Sequence, residues 1–223
     1  MKNIIIFGSS SDLATEFTDI LNEKKINFFS ITQNKENTNN KNTLIVKDYE
    51  TDIDLIYEFI KNIKNPYIFF FNGYLKENRP LYSPTNIEIL QTFKVNFIVP
   101  YIIINKIKDS NFEFQKITVI SSIAATKPRL KNFIYGNTKT LLETYMKKSN
   151  IKKYSVIRFG YIYSKMSESH TPPPFAIDKK KAAKYIFDSL NGKKRLYVFP
   201  RILLLVSILM KITPSSILER LEK

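Results

Sequence analysis

Short apolar runs alternate along the chain with longer stretches in which apolar residues recur every three or four positions. The short runs, at residues 4–7, 28–32, 44–46, 67–71, 117–121, 155–159 and 196–199, read as strands. They are apolar almost throughout rather than at every second position, which marks strands covered on both faces, as in a parallel sheet. The longer stretches predict helices at about 13–23, 53–63, 86–107, 133–148 and 179–190. Strands and helices in this succession predict an α/β fold, a doubly wound parallel sheet with helices on both faces and right-handed crossovers. No internal repeat interrupts the pattern, and no linker composition precedes residue 195.

A chain of 223 residues suits one such core. The absence of cysteine removes disulfides and thiolate metal sites from consideration. The single histidine, His170, lies in Ser-Glu-Ser-His-Thr-Pro-Pro-Pro and reads as a solvated loop residue. A formal charge of +15 raises two partners, nucleic acid and anionic lipid. The lysines are scattered or in small clusters (147–148, 152–153, 179–181, 193–195), with no zinc-finger, basic-zipper or RNA-recognition spacing, so no nucleic-acid partner is expected. The opening apolar run stops at Gly8, too short for a signal-peptide core, so the expectation is a cytoplasmic protein whose first residues form a strand.

The first strand runs through Gly8-Ser9-Ser10-Ser11-Asp12-Leu13-Ala14 into a helix. A glycine there lets the chain turn tightly, and the amides that follow face a pyrophosphate at the helix N-terminus. Only the first of three usual glycines is present, so a plain strand-to-helix turn capped by Ser or Asp competes with this reading. The end of the second strand, Ser30-Ile31-Thr32-Gln33-Asn34-Lys35, has no carboxylate to grip two ribose hydroxyls or repel a 2′-phosphate. NADP is therefore favoured over NAD, with Thr32, Gln33 and Lys35 the candidate contacts.

Tyr135 and Lys139 stand four apart on a predicted helix and so share one face. An ammonium beside a phenol is expected to lower the tyrosine pKa and suit it to general-acid work. Ser122 precedes the tyrosine by thirteen residues, at the C-terminal end of a predicted strand, which in a doubly wound sheet faces the ligand crevice. A Tyr-x-x-x-Lys pair alone is commonly a surface pair. Combined with the serine and the glycine turn it outlines a site.

With these anchors in order, residues 1–195 resemble the short-chain dehydrogenases/reductases, a Rossmann-type family. The resemblance implies a catalytic tetrad of Asn96, Ser122, Tyr135 and Lys139, and hydride transfer to a carbonyl from NADP(H) or NAD(H). In it Tyr135 would protonate the alkoxide, Ser122 would hydrogen-bond the same oxygen, Lys139 would hold the ribose, and Asn96 would position a water. It further implies cofactor contacts at Gly8, Ser10, Ser11, Asp12, Leu13, Asp48 (beside the adenine), Asn72, Gly73, Gly160, Ile162 and Ser164. Phe71-Asn72-Gly73 and Arg158-Phe159-Gly160-Tyr161-Ile162-Tyr163-Ser164 are departed forms of the family's elements.

Residues 196–223 hold the last strand, then an apolar tail, Ile202 to Met210, too short to span a bilayer and flanked by Arg201 and Lys211. Two readings stay open: a helix lying in an anionic headgroup region, or one buried against the domain or a homo-oligomer partner. The segments 164–175, 178–183 and 197–210 resemble the decaprenylphosphoryl 2-keto-ribose reductase branch, which implies a keto-sugar substrate, lipid-linked or nucleotide-linked, in cell-envelope polysaccharide synthesis. A non-catalytic dinucleotide-binding regulator or scaffold of the same fold is the alternative.

Overall fold

The computed structural model describes residues 2–34, 42–78, 81–214 and 217. Seven parallel strands form one sheet in the order β3-β2-β1-β4-β5-β6-β9. They are β1 (Asn3–Phe7), β2 (Asn27–Thr32), β3 (Thr43–Ile45), β4 (Tyr67–Phe70), β5 (Lys116–Ser122), β6 (Tyr154–Phe159) and β9 (Leu196–Phe199). Each apolar run in the sequence becomes one of these strands. A ribbon of β7 (Ile162–Tyr163) and β8 (Ile177–Asp178), which the pattern does not predict, lies outside the sheet. The helices are α1 (Asp12–Glu23), α2 (Ile53–Ile60), α3 (Asn86–Phe93), α4 (Val99–Asp109), α5 (Phe133–Lys148), α6 (Lys179–Ser189) and α7 (Ile202–Ile212).

The near-continuous apolarity of the strands has a direct cause. Ile5, Phe7, Ile68, Phe70, Ile117 and Val119 face one core, closed by Ile56 of α2, Ile103 of α4 and Leu142 of α5. Their neighbours Ile4, Ile6, Phe69, Ile157 and Phe159 face the other, closed by Phe17 of α1 and Ile186 of α6. Across the centre of the sheet Phe7 and Phe70 stack with ring centroids 4.7 Å apart. Burying side chains of this size stabilises the fold by about 1.5–3 kcal/mol each.

The single helix expected over 86–107 is in fact three pieces. A π-helical turn, Lys94–Ile98, separates α3 from α4. Pro100 stands in the first turn of α4 and has no N–H to return to the carbonyl four residues back, that of Asn96. Insertions of this kind favour functional positions, because they free backbone groups and turn a side chain out of the helical row. The composite 86–109 segment has the length and apolarity to cross a bilayer, yet Ile103, Ile104 and Ile107 are buried in the domain core. Lys35 lies outside the described residues.

Candidate active site

The chain leaves β1 toward β2 on one side and β4 toward β5 on the other, so their C-terminal ends border the switch-point crevice where ligands of such sheets bind. Gly8 turns there with φ 72°, and a Cβ on it would stand 2.9 Å from the Asn72 backbone nitrogen. Glycine is therefore needed twice over, for the left-handed backbone and for the close passage of β4. Ser11 caps α1, its Oγ accepting from Ala14 N at 3.2 Å. Ser10 and Leu13 keep partial exposure beside it. The Asp12 carboxylate turns sideways and accepts Lys165 N at 2.8 Å, tying the first turn of α1 to the segment after β7.

Beside this turn a cavity of about 130 Å³ is lined by Gln33, Asp48, Tyr49, Asn72, Gln91 and Lys94. The cavity holds Asp48 where the adenine contact was expected, but its carboxylate is already engaged. Lys94 Nζ donates to it at 2.6 Å, which holds the Asp48 carboxyl below its ordinary range and raises the lysine. The Thr32 side chain does not face the cavity. It is fully buried, and its Oγ1 accepts Asn34 N at 3.0 Å. Gln33 lines the cavity and donates to Lys47 O at 2.9 Å. Tyr49, absent from the sequence reading, joins the crevice walls: its hydroxyl accepts Gly8 N at 3.2 Å and donates to Ile31 O at 2.9 Å. Burial pushes that phenol up to about 12. Asn72 Oδ1 is buried without a hydrogen-bond partner among the described residues, an acceptor in the cavity wall that a ribose or adenine donor would satisfy.

Asn96, Ser122, Tyr135 and Lys139 converge on the next stretch of the crevice. Asn96 sits in the π turn, fully buried, with its amide clamped on the Tyr74 backbone: Oδ1 accepts Tyr74 N at 2.9 Å and Nδ2 donates to Tyr74 O at 2.8 Å. Its side chain thus fixes the strap after β4. Ser122 ends β5, and its Oγ accepts Ala124 N at 3.2 Å. Tyr135, in the first turn of α5, has Ser122 close enough to work against the rise of its phenol. Lys139 is buried at 3% exposure; Nζ donates to Asn72 O at 3.1 Å and Ile120 O at 3.2 Å. Those carbonyls belong to the ends of β4 and β5, so the lysine bridges the strands under the crevice.

The expected lowering of the tyrosine by the lysine is corrected by this geometry. Nζ stands 5.8 Å from the Tyr135 ring centroid and spends its protons on carbonyls. Desolvation dominates both groups, raising Tyr135 to about 12 although Ser122 pulls the other way, and lowering Lys139 to about 8 against the opposing charge of Glu143. Tyr135 is accordingly a protonated phenol throughout the neutral range.

A residue with no signal in the sequence completes the site. Glu77, 3% exposed, caps the start of α5: Oε2 accepts Ile134 N at 2.7 Å and Tyr135 N at 3.3 Å. A lone Glu in a polar loop has no partner until the strap after β4 is folded across α5. His170 is only partly solvated, since Nε2 lies 3.0 Å from Glu77 O and the ring is partly covered. Below the tetrad Arg158 Nε donates to Glu143 Oε1 at 2.8 Å and Nη1 to Thr126 Oγ1 at 3.0 Å, and Ser121 Oγ donates to the same Glu143 oxygen at 2.6 Å. Gly160 follows β6 under Leu203 of α7, which a Cβ would meet at 2.5 Å. Ile162 pairs with Ile177 in the ribbon, and Ser164 Oγ lies 3.3 Å from Ser167 Oγ. Met166 covers Gly73, its Cε 2.9 Å from where a Cβ would stand.

The architecture is shared with solved structures over nearly the whole chain. A short-chain dehydrogenase from Burkholderia cenocepacia J2315 in complex with NADP superposes with a TM-score of 0.78 at 14% identity, covering 96% of this chain and 100% of that one. One from Sphingobium yanoikuyae in complex with NADPH gives 0.72 at 11% identity, covering 96% and 97%. The ligand-free aldohexose dehydrogenase of Thermoplasma acidophilum gives 0.70 at 10% identity, covering 89% and 92%. The fold is that of the short-chain dehydrogenases. No family model matches the sequence. No curated protein matches it either. Within the short-chain dehydrogenase fold, the glycine turn, the cavity and the four polar residues lie along one crevice at the carboxyl ends of the strands.

Proposed function

We propose that the chain is a short-chain dehydrogenase/reductase that reduces a carbonyl with a nicotinamide dinucleotide. The observation that carries this reading is the convergence of Ser122, Tyr135 and buried Lys139 beside the Gly8 turn. Three features fit the dinucleotide: the glycine that lets the backbone approach, the α1 N-terminus behind it, and the unpaired Asn72 Oδ1 in the adjoining cavity. When bound, the nicotinamide supplies the hydride. Tyr135, protonated near neutral pH, gives its proton to the oxygen on which charge develops. Ser122 donates a hydrogen bond to the same oxygen, an interaction that strengthens as the alkoxide forms. Lys139, poised near 8, holds its charge under the ribose side of the crevice and can pass a proton toward the phenol. Asn96 positions the strap beside the tetrad. The solved structures of this fold with NADP, NADPH and NADH support the cofactor class.

The finer reading is a preference for NADP(H) and a keto-sugar substrate, carried on a lipid or a nucleotide, in envelope polysaccharide synthesis. The carboxylate-free end of β2 supports the first part, and the resemblance of the 164–175 segment and tail supports the second. Titrating the chain with NADPH and NADH, then following NADPH oxidation over a panel of keto-sugars, tests both. Tyr135→Phe should abolish turnover and leave cofactor binding within about twofold, since it deletes only the proton donor. Native turnover in that variant would overturn the mechanism, and cofactor binding without turnover of any carbonyl would favour the non-catalytic alternative.

A further inference from the structure

Helix α7 buries only Leu203, Ser207 and Met210 of its eleven residues. These recur at the spacing of one narrow stripe, and the stripe holds the helix to the domain. The apolar residues that remain, Ile202, Leu204, Leu205, Ile208, Leu209 and Ile212, point outward with exposures between 41% and 72%. A run of large apolar side chains over nearly half the circumference of a surface helix marks a contact surface.

Charge identifies what the surface meets. The helix is flanked by two cations, Arg201 and Lys211, and has no carboxylate between them. Arg201 and Lys211 stand exposed at the two ends of the helix. A second copy seated on the same patch by two-fold symmetry would bring these cations together on a chain of net charge +15, with no acid among the described residues of the helix to pair them. An anionic leaflet supplies both the apolar depth and the opposite charge.

The inner side of α7 is bolted to the crevice. Lys127 Nζ donates to Thr213 O at 2.6 Å, Thr126 Oγ1 lies 3.5 Å from Ser207 Oγ, and Leu203 covers Gly160. Thr126 and Lys127 follow Ser122 on the loop after β5, and Gly160 follows β6, so the outward face is joined to loops at the carboxyl ends of the strands beside Ser122. We propose that α7 lies in the headgroup region of an anionic bilayer and holds the crevice at that surface, where it takes a carbonyl substrate borne on a lipid. The substrate half of this inference rests on the reductase reading; the bilayer half does not.

The test is co-sedimentation of the full chain with phosphatidylcholine vesicles, with and without phosphatidylglycerol, at low and high salt. Binding should be at least about tenfold tighter with the anionic lipid and weaken as salt screens it. The triple variant Leu205→Ser, Ile208→Ser, Leu209→Ser should lose at least about tenfold in vesicle binding, because those side chains supply the buried area. Its melting temperature and NADPH binding should match the native chain, since none of the three lies in the core. Failure to sediment with anionic vesicles, or undiminished binding of the variant, would overturn the inference. So would a native dimer that the variant dissolves, because a second copy would then cover the face. Vesicle binding without carbonyl turnover would sink the reductase reading and the substrate half while upholding the bilayer half; turnover of soluble carbonyls without vesicle binding would uphold the reductase reading and sink both halves of the inference.

Discussion

Glu77→Ala separates what holds Tyr135 from what Tyr135 does. The native carboxylate accepts the amides of Ile134 and Tyr135 at 2.7 and 3.3 Å, at a helix start where the partial charge is positive. Hydrogen bonds to a charged group contribute about 1.5–3 kcal/mol each, and the longer of these two less. Truncation strands both amides in a buried place, so the loss should be about 2–4 kcal/mol. Glu77→Gln keeps an acceptor oxygen and removes the charge, for a loss of about 1 kcal/mol. The backbone atom released is that of Tyr135 itself, and a displacement of about 1 Å in a reacting group costs on the order of a hundredfold in rate. Urea unfolding should rank native above Gln above Ala. Turnover should fall about ten- to a hundredfold in the Ala variant, with NADPH affinity within about twofold because Glu77 does not line the cofactor cavity. An Ala variant within about 0.5 kcal/mol of native stability and with native turnover would refute the positioning role. Lost cofactor binding would show that the whole crevice, not α5 alone, depends on this cap.

Other expectations follow from the same geometry. Gly8→Ala forces a Cβ to 2.9 Å from Asn72 N at a φ of 72°; it should cost about 1–3 kcal/mol in denaturant unfolding and weaken NADPH binding at least about tenfold, as read by fluorescence titration. Arg158→Met strands the part-buried Glu143 carboxylate and should destabilise by about 2–3 kcal/mol, whereas Arg158→Met with Glu143→Leu should recover most of that in the same melts. The pH dependence has a defined sign. Lys139 has a folded pKa of about 8 against an ordinary 10.5, so between those values the unfolded chain binds more protons and this group's contribution to stability rises with pH. Lys116, also lowered to about 8 by burial, acts in the same window. Chemical unfolding at pH 7.5 and 9.5 should therefore show a smaller rise for Lys139→Met than for the native chain.

The elements were legible in the sequence because each strand carries enough apolar residues to be buried on both faces, a property that needs no partner to be read. The seven runs became the seven strands of the sheet. The tetrad was legible as a set of spacings, since Tyr135 and Lys139 lie one turn apart on α5 and Ser122 ends the strand before it. What those groups experience was not. The reach of Lys139 to Asn72 O and Ile120 O depends on strands 67 and 19 positions away in the chain, and it leaves the phenol raised instead of lowered. The π turn at Asn96, the Lys94–Asp48 pair, the Glu77 cap and the pinning of His170 share that origin, for each joins groups that only the crossovers bring together. In the same way the composition of α7 declared an apolar helix, but docking on Gly160 and the Ser122 loop decided which three residues turn inward and which six face out. The sequence by itself determined the sheet, its layers and the identity of the chemical groups, because periodicity and side-chain type are local. Only the tertiary structure decided their protonation, their partners and their direction, because hydrogen bonds and desolvation depend on neighbours distant along the chain.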